Sequence, residues 1–172
     1  VFTGAATAVV TPMTEKGVDY ATYEKLLNWQ IAQGIDAIVA AGTTGEGSTL
    51  SDEEHRDALE FAYKRAAGRV PMIAGTGSND LDYALSLTKY ACDAGADAVL
   101  TVTPYYNKPS QRGIIYHYLT VAESSEAPIM MYNVPSRTGV SIQTETARTL
   151  FAHENISALK EASCDIADVT DK

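Results

Sequence analysis

QGIDAIVAAG at residues 33–42 returns in altered form as AGADAVLTVT at 94–103. In each segment a glycine, Gly34 or Gly95, stops a helical pattern, and a short continuous apolar run follows. That combination marks passage from a helix into a strand buried on both faces. The offset of 61 residues equals two strand–helix units of about 30 residues each.

Outward from this pair the same alternation covers the chain. Residues 3–10 read as a strand ending at Thr11-Pro12, with a helix over 20–33 closed by Gly34. DAIVAAG (36–42) is the second strand. Ser51 and Glu54 have capping-box spacing at the start of a helix over 51–67, which Gly68 ends. VPMIAG (70–75) is followed by a helix at 80–94, and ADAVLTVTP (96–104) by one at 110–125. PIMMYNVP (128–135) precedes a helix at 143–152; NISALK (155–160) is the sixth strand, and a further helix begins near Asp165.

Apolar strands separated by amphipathic helices predict an α/β fold with a parallel sheet covered on both faces. Two architectures satisfy this. A doubly wound sheet binding a dinucleotide carries G-x-G-x-x-G after its first strand. Here the first strand ends VVTPMTEKG, and the glycine-rich turn follows the second strand instead. The reading therefore favours a (β/α)8 TIM barrel, which takes about 250 residues for eight units. With 172 residues the chain supplies six strands and the start of a sixth helix. It is expected to be the amino-terminal part of a single barrel domain. Alone, those six units are expected to be inactive and poorly soluble, because the first and last strands lack partners.

Composition excludes several functions. Hydrophobic residues make up 45% and charged residues 20%, ordinary for a globular protein. A net charge of −9 argues against a nucleic-acid partner. No apolar run approaches the length of a membrane span. VFTGAATAVVTP lacks a basic leader and reads as a strand, which makes the cytoplasm the expected location. Cys92 and Cys164 have neither zinc nor disulfide spacing; Cys92 reads as a small core residue in a helix. His55, His117 and His153 all fall in predicted helices, far apart in sequence, and no metal site is expected.

In a barrel the loops after the strands share one mouth. GTTGEG (42–47), TPYYNKPS (103–110), YNVPSRTG (132–139) and Lys160 in ISALKEAS (156–163) fall there. The first of these turns tightly enough to present amides and two threonine hydroxyls to a small anion, or is plain loop geometry. Tyr105 and Tyr106 read as packing or interface, Tyr132 as a barrel-layer residue, and Arg137 as a surface charge or a carboxylate fork. Lys160 is harder to explain, because removing an ammonium from water costs several kcal/mol, ~3 or more. It is either half of a strand-end ion pair with Glu161 or an amine whose pKa desolvation lowers. In the second case it can attack a carbonyl, and the resulting imine acts as an electron sink without a bound cofactor. Tyr132 would then move protons.

AIVAAGTTGEGSTLSDEE (37–54) and YNVPSRTGVSIQTETARTLFAHENISALKEA (132–162) resemble the two signature regions of the dihydrodipicolinate synthase/N-acetylneuraminate lyase family. The likeness extends over the whole chain from GAATAVVTPM onward. It implies a (β/α)8 barrel performing class I aldolase chemistry on pyruvate, with a helical segment after the barrel. By the resemblance, Lys160 is the Schiff-base lysine and Tyr132 the proton-shuttling tyrosine. Thr43 links Tyr132 to Tyr106, a residue lent across a dimer interface. Thr44, with the amides of a turn that includes Gly42 and Gly45, cradles the pyruvate carboxylate. Arg137 receives the carboxylate of aspartate semialdehyde. Arg137 with PYYNKPSQ (104–111) favours the synthase branch of lysine biosynthesis. The alternatives are a sialic acid or 2-keto-3-deoxy sugar acid aldolase using the same imine, or a non-catalytic keto-acid-binding barrel. The resemblance also implies a homo-oligomer, a dimer or tetramer.

Two positions depart from the family pattern. Gly47 stands where many members carry Ser or Ala, a change compatible with the turn. In the pocket where lysine inhibits some synthases, His55, Asn79 and Tyr105 match, but Tyr83 replaces a frequent Glu. Loss of that carboxylate removes a partner for the inhibitor's ammonium group, so feedback inhibition is expected to be weak or absent. Titration of the active protein with lysine checks this. Half-inhibition below about 1 mM, a binding free energy of about −4 kcal/mol, would contradict it.

Overall fold

The structure, a computed structural model, describes residues 2–172. Chain order runs β1 (Ala6–Ala8), β2 (Met13–Thr14), β3 (Gly17–Val18), α1 (Tyr20–Ala32), β4 (Ala37–Ala40) and α2 (Asp52–Ala66). It continues with β5 (Met72–Gly75), α3 (Leu81–Asp93), β6 (Ala98–Val102), α4 (Gln111–Glu123) and β7 (Ile129–Asn133). The last elements are α5 (Pro135–Thr138), α6 (Thr144–Phe151), β8 (Ile156–Glu161) and α7 (Ile166–Asp171).

Six of the strands form one sheet in the order β1-β4-β5-β6-β7-β8. Where register is defined, the pairs β1–β4, β4–β5 and β7–β8 are parallel. The order never reverses. A doubly wound sheet changes direction at a switch point, whereas a barrel adds each strand beside the last. Strand order thus decides between the two architectures.

Helix boundaries follow local chemistry. The Ser51 hydroxyl accepts from the Glu54 amide at 3.3 Å, and the Glu54 carboxylate accepts from the Ser51 amide at 3.0 Å. This reciprocal box opens α2, and left-handed Ala67 and Gly68 (φ 50° and 70°) close it. Asp19 caps α1 by accepting from the Thr22 amide at 3.0 Å.

The repeated segment has a structural reason beyond its glycine. Asp36 accepts from the Ala5 amide at 2.8 Å through its side chain, and its own amide donates to the Ala5 carbonyl at 3.1 Å. Asp97 repeats this on Met72, at 2.8 and 3.0 Å. Each aspartate therefore ties the incoming strand to the start of its neighbour.

The coordinates resolve into two compact units: residues up to Gly75 with Tyr90–Val99, and Thr76–Lys89 with Leu100–Lys172. The first packs Tyr23 and Leu27 of α1 and Ala58, Leu59 and Ala62 of α2 in its core, together with the strand residues Ile38 and Ile73. The second buries Ile114, Tyr118 and Val121 of α4, Ile129 and Met131 of β7, and Leu150 of α6.

Some expectations need correction. The first strand is only Ala6–Ala8, although Val9 still donates to Val39 at 3.0 Å, and Gly4 ahead of it has φ 123°. The β2–β3 hairpin was not foreseen, since two-residue strands are too short to show periodicity. The short α5 lies inside a stretch read as loop, yet Pro135 at its start and Gly139 (φ 73°) at its end are the helix-start and helix-stop signals. Cys92 is only half-buried. His153 lies beyond α6, its Nδ1 accepting from the Asn155 amide at 3.2 Å. Among the described residues no helix is long and apolar enough to cross a membrane.

His117 on α4 is buried, and its Nε2 has no partner among the described residues. Burial pushes the imidazole down to about 4. Between about pH 6.5 and 4 the unfolded chain binds more protons, so stability falls as pH falls through that window. The full loss is about 3 kcal/mol. Urea melts across that window should show a shallower acid dependence for His117→Leu than for wild type. A residual slope from His55, which burial also holds below its ordinary value, should remain.

Candidate active site

The candidate side chains Tyr132 and Lys160 of the second unit sit where β7 and β8 end. Ile129 lies opposite Ile156, but Met130 lies opposite Ala158, so Ser157 is an extra residue that bulges β8. Beyond it, Tyr132 faces Lys160 and Asn133 faces Glu161. Because successive side chains alternate across a strand, Tyr132 and Lys160 share one face of the pair while Asn133 and Glu161 share the other.

The Lys160 Nζ lies 4.5 Å from the Tyr132 ring centroid. Lys160 is half-buried, and desolvation lowers its pKa from the ordinary lysine value. The ion pair considered with Glu161 is not what the structure contains. Glu161 instead accepts from Asn133 Nδ2 at 2.9 and 2.8 Å, from the Ser163 amide at 2.8 Å and from Lys172 Nζ at 2.9 Å. Burial raises its pKa, but Lys172 and Asn133 outweigh that and hold the carboxyl below its ordinary value.

Tyr132 is held through its backbone. Its carbonyl accepts from the Thr103 amide at 3.0 Å and the Thr103 hydroxyl at 3.1 Å, and its amide donates to Tyr118 Oη at 3.4 Å. Tyr118 Oη donates in turn to the Thr101 carbonyl at 2.9 Å. Sequence reading missed Thr103, Tyr118, Asn133 and Glu161 as supports. The signal for the last two was their position, each one residue after a candidate catalytic residue.

The other candidates occupy loops. Tyr106 has φ 70° and is 89% exposed, while Tyr105 is half-buried. Asn107 fastens this loop, its amide donating to the Tyr105 carbonyl at 2.8 Å and its side chain to the Asn79 carbonyl at 3.2 Å. Arg137 is exposed on α5. The Lys108 side chain crosses Gly139 so closely that a Cβ there would lie 2.8 Å from Lys108 Cε.

In the first unit, GTTGEG forms a turn whose Glu46 amide donates to the Thr43 carbonyl at 3.1 Å and whose Gly47 amide donates to the Gly42 carbonyl at 3.2 Å. Thr11 fixes the Gly45 carbonyl through its hydroxyl at 2.7 Å. Thr43 and Thr44 are exposed. The turn is tighter at Gly47 than expected, because a Cβ there would lie 2.2 Å from the Ala41 carbonyl oxygen. Alanine or serine at that position would require the turn to shift. His55 on α2 is buried, its Nε2 donating to the Gly75 carbonyl at 2.9 Å. Tyr83 lies half-buried on α3.

The model of the dihydrodipicolinate synthetase family matches residues 1–172. The chain belongs to that family. The 4-hydroxy-tetrahydrodipicolinate synthase of Exiguobacterium sibiricum is 53% identical over 167 residues, 96% of this chain and 57% of that protein. A crystal structure of the chloride-inhibited dihydrodipicolinate synthase of Acinetobacter baumannii complexed with pyruvate is 50% identical with a TM-score of 0.93, covering 96% of this chain and 57% of that one. The Cyanidioschyzon merolae enzyme with lysine bound is 39% identical with a TM-score of 0.91, again over 96% of this chain and 57% of that one. The six strand–helix units thus match the corresponding part of a (β/α)8 barrel. This chain spans little more than half the length of these family members.

Competitive acetylation with pH tests the character of the amine. Lys160 should reach half-labelling below 10.5, the ordinary lysine value. Half-labelling at or above that value would mean that desolvation does not free the amine.

Proposed function

We propose that the protein is a cytoplasmic, Schiff-base-forming lyase that condenses pyruvate with aspartate semialdehyde to give 4-hydroxy-tetrahydrodipicolinate. The observation that carries this reading is the half-buried Lys160, its pKa lowered by desolvation, against the Tyr132 ring. Membership of the family and similarity to a relative complexed with pyruvate support it.

The chemistry follows from the neutral amine. Lys160 Nζ adds to C2 of pyruvate, and loss of water leaves an imine. The protonated imine draws electrons from C3, so a proton leaves and an enamine forms. Its C3 attacks the aldehyde carbon of aspartate semialdehyde, whose oxygen takes up a proton and becomes the 4-hydroxyl. The acceptor's own amine then attacks the imine carbon, closes the ring and expels Lys160 as the free amine. One water is released overall, and no bound cofactor supplies electrons. By the family pattern, Tyr132 moves these protons and Thr43 connects it to Tyr106. Thr44 with the turn around Gly42 and Gly45 holds the pyruvate carboxylate, and Arg137 takes that of the acceptor. A bidentate guanidinium suits the acceptor's carboxylate, and a neutral sugar aldehyde gives it nothing to bind. The exposure of Tyr106 supports its loan to a second copy in a dimer or tetramer. His55, Asn79 and Tyr105 are the candidate lysine-effector residues.

Borohydride reduction of the complete barrel with isotope-labelled pyruvate should add one label to the peptide containing Lys160, and Lys160→Ala should abolish it. No label on the wild-type peptide would favour the non-catalytic barrel. If trapping occurs, Arg137→Ala should raise KM for aspartate semialdehyde about tenfold or more while leaving pyruvate trapping intact, as expected for loss of a charge-assisted contact. Faster turnover of a sugar acid than of aspartate semialdehyde would move the assignment to another branch.

A further inference from the structure

The β7–β8 pair does not begin in the register that the proposed chemistry needs. Ile129 lies opposite Ile156; continued without a break, that register would place Tyr132 against Leu159 and Asn133 against Lys160. The bulge at Ser157 advances β8 by one residue and brings Lys160 opposite Tyr132. A one-residue slip back would turn the amine to the other face of the sheet. The ladder's backbone hydrogen bonds do not discriminate, because a parallel pair forms them equally well in either register.

Side chains beyond the bulge do discriminate. Asn133 is fully buried, and every polar atom of its side chain is committed. Its Nδ2 donates to both Glu161 oxygens at 2.9 and 2.8 Å and to Ser141 Oγ at 3.1 Å, and its Oδ1 accepts from the Ile142 amide at 2.9 Å. Its carbonyl accepts from the Ala162 amide at 2.9 Å. In the slipped register the carboxamide would face Lys160 and lose the carboxylate, leaving the buried Nδ2 only Ser141 Oγ as an acceptor for its two protons. The Glu161 charge is matched by Lys172, with which it forms a 2.9 Å ion pair almost fully shielded from solvent.

The geometry points to Asn133 and Glu161 as positioning residues: their carboxamide–carboxylate clamp fixes the advanced register in which Lys160 reaches Tyr132. This rests on Lys160 being the imine-forming residue. The clamp touches no substrate, since it occupies the face of the strand pair opposite Tyr132 and Lys160. It acts by denying β8 its alternative alignment.

The test, made on the complete barrel, measures pyruvate trapping and Lys160 acetylation in Asn133→Ser, Asn133→Ala, Glu161→Ala, Glu161→Gln and the double alanine variant, each checked for folding by circular dichroism. Asn133→Ser keeps a polar group but is too short to reach the carboxylate, so it serves if the alanine variant fails to fold. Folded Asn133 variants and Glu161→Ala should trap pyruvate about tenfold or more slowly, the scale on which a misplaced reacting group loses rate. The double variant should be no slower than either single one, because both remove the same clamp. Glu161→Gln, which keeps an acceptor for Asn133, should retain most of the rate. In the slow variants the half-labelling pH of Lys160 should move from its wild-type value as the amine leaves the Tyr132 face. Rates within twofold of wild type in a folded Asn133 variant would overturn the inference, as would independent, multiplying effects in the double variant. If wild type traps no pyruvate, the proposed function falls. The labelling then decides alone: a shifted profile in the Asn133 variants upholds the clamp, and an unchanged profile ends it.

Discussion

An amine that must be neutral near pH 7 has to be withdrawn from water without being handed a counter-charge. A carboxylate 4 Å from Lys160 would contribute about 4 kcal/mol at an effective dielectric near 20, enough to hold the ammonium form. The Tyr132 ring that meets the Nζ instead favours the cation by only about 0.5–1 kcal/mol at a partly exposed site. Desolvation outweighs the ring here, since the pKa is lowered, whereas a facing carboxylate would oppose that lowering several times more strongly. The site therefore depends on where Glu161, the next residue, sends its charge. It sends it to Asn133 and Lys172.

Strand periodicity makes that separation possible. Neighbouring residues on β8 point to opposite faces, so the sequence Lys160-Glu161 places a base and an acid one residue apart without pairing them. The bulge at Ser157 chooses which face receives which, and the buried Asn133 rewards only one choice. On the other side of β7, the Thr103 and Tyr118 hydroxyls hold the Tyr132 backbone. Under the proposed function, catalytic geometry is a property of strand ends held by buried polar groups, the arrangement expected when misplacement is costly.

The alternation of strands and helices was legible because it rests on composition over windows of ten or more residues. The capping box at Ser51 and Glu54 and the glycine stops were legible because each depends on a few residues at fixed spacing. Lys160 announced itself as a charge closing an apolar run. The supports did not. Asn133 reads as an ordinary strand-end amide until its partner 28 residues later is known to lie opposite it, and that requires the bulge. Tyr118 reads as one more aromatic on an amphipathic helix. Asp36 and Asp97 sit inside the repeat that betrayed the fold, yet their bonds to the Ala5 and Met72 amides depend on which strands are neighbours, information no local window contains. Bulges, two-residue hairpins and cross-strand clamps are tertiary choices made among locally equivalent options.

Under the proposed function, chemistry and specificity are carried by different kinds of element. Lys160 and Tyr132 belong to strands whose register is fixed by buried side chains, while Arg137 rides on α5, a four-residue helix bounded by Pro135 and left-handed Gly139. The proline needs no amide partner at a helix start, and the glycine allows the chain to leave abruptly. This helix lies outside the ladder and leads from β7 toward α6, anchored by buried Thr138, whose hydroxyl donates to the Val134 and Val140 carbonyls. Under the proposed function, a change of acceptor would then require changes on the loop alone. The Lys160–Tyr132 pair has no comparable freedom: one residue of slip reverses the face on which the amine stands. That division between ladder and loop would, under the proposed function, let one reactive amine serve different acceptors.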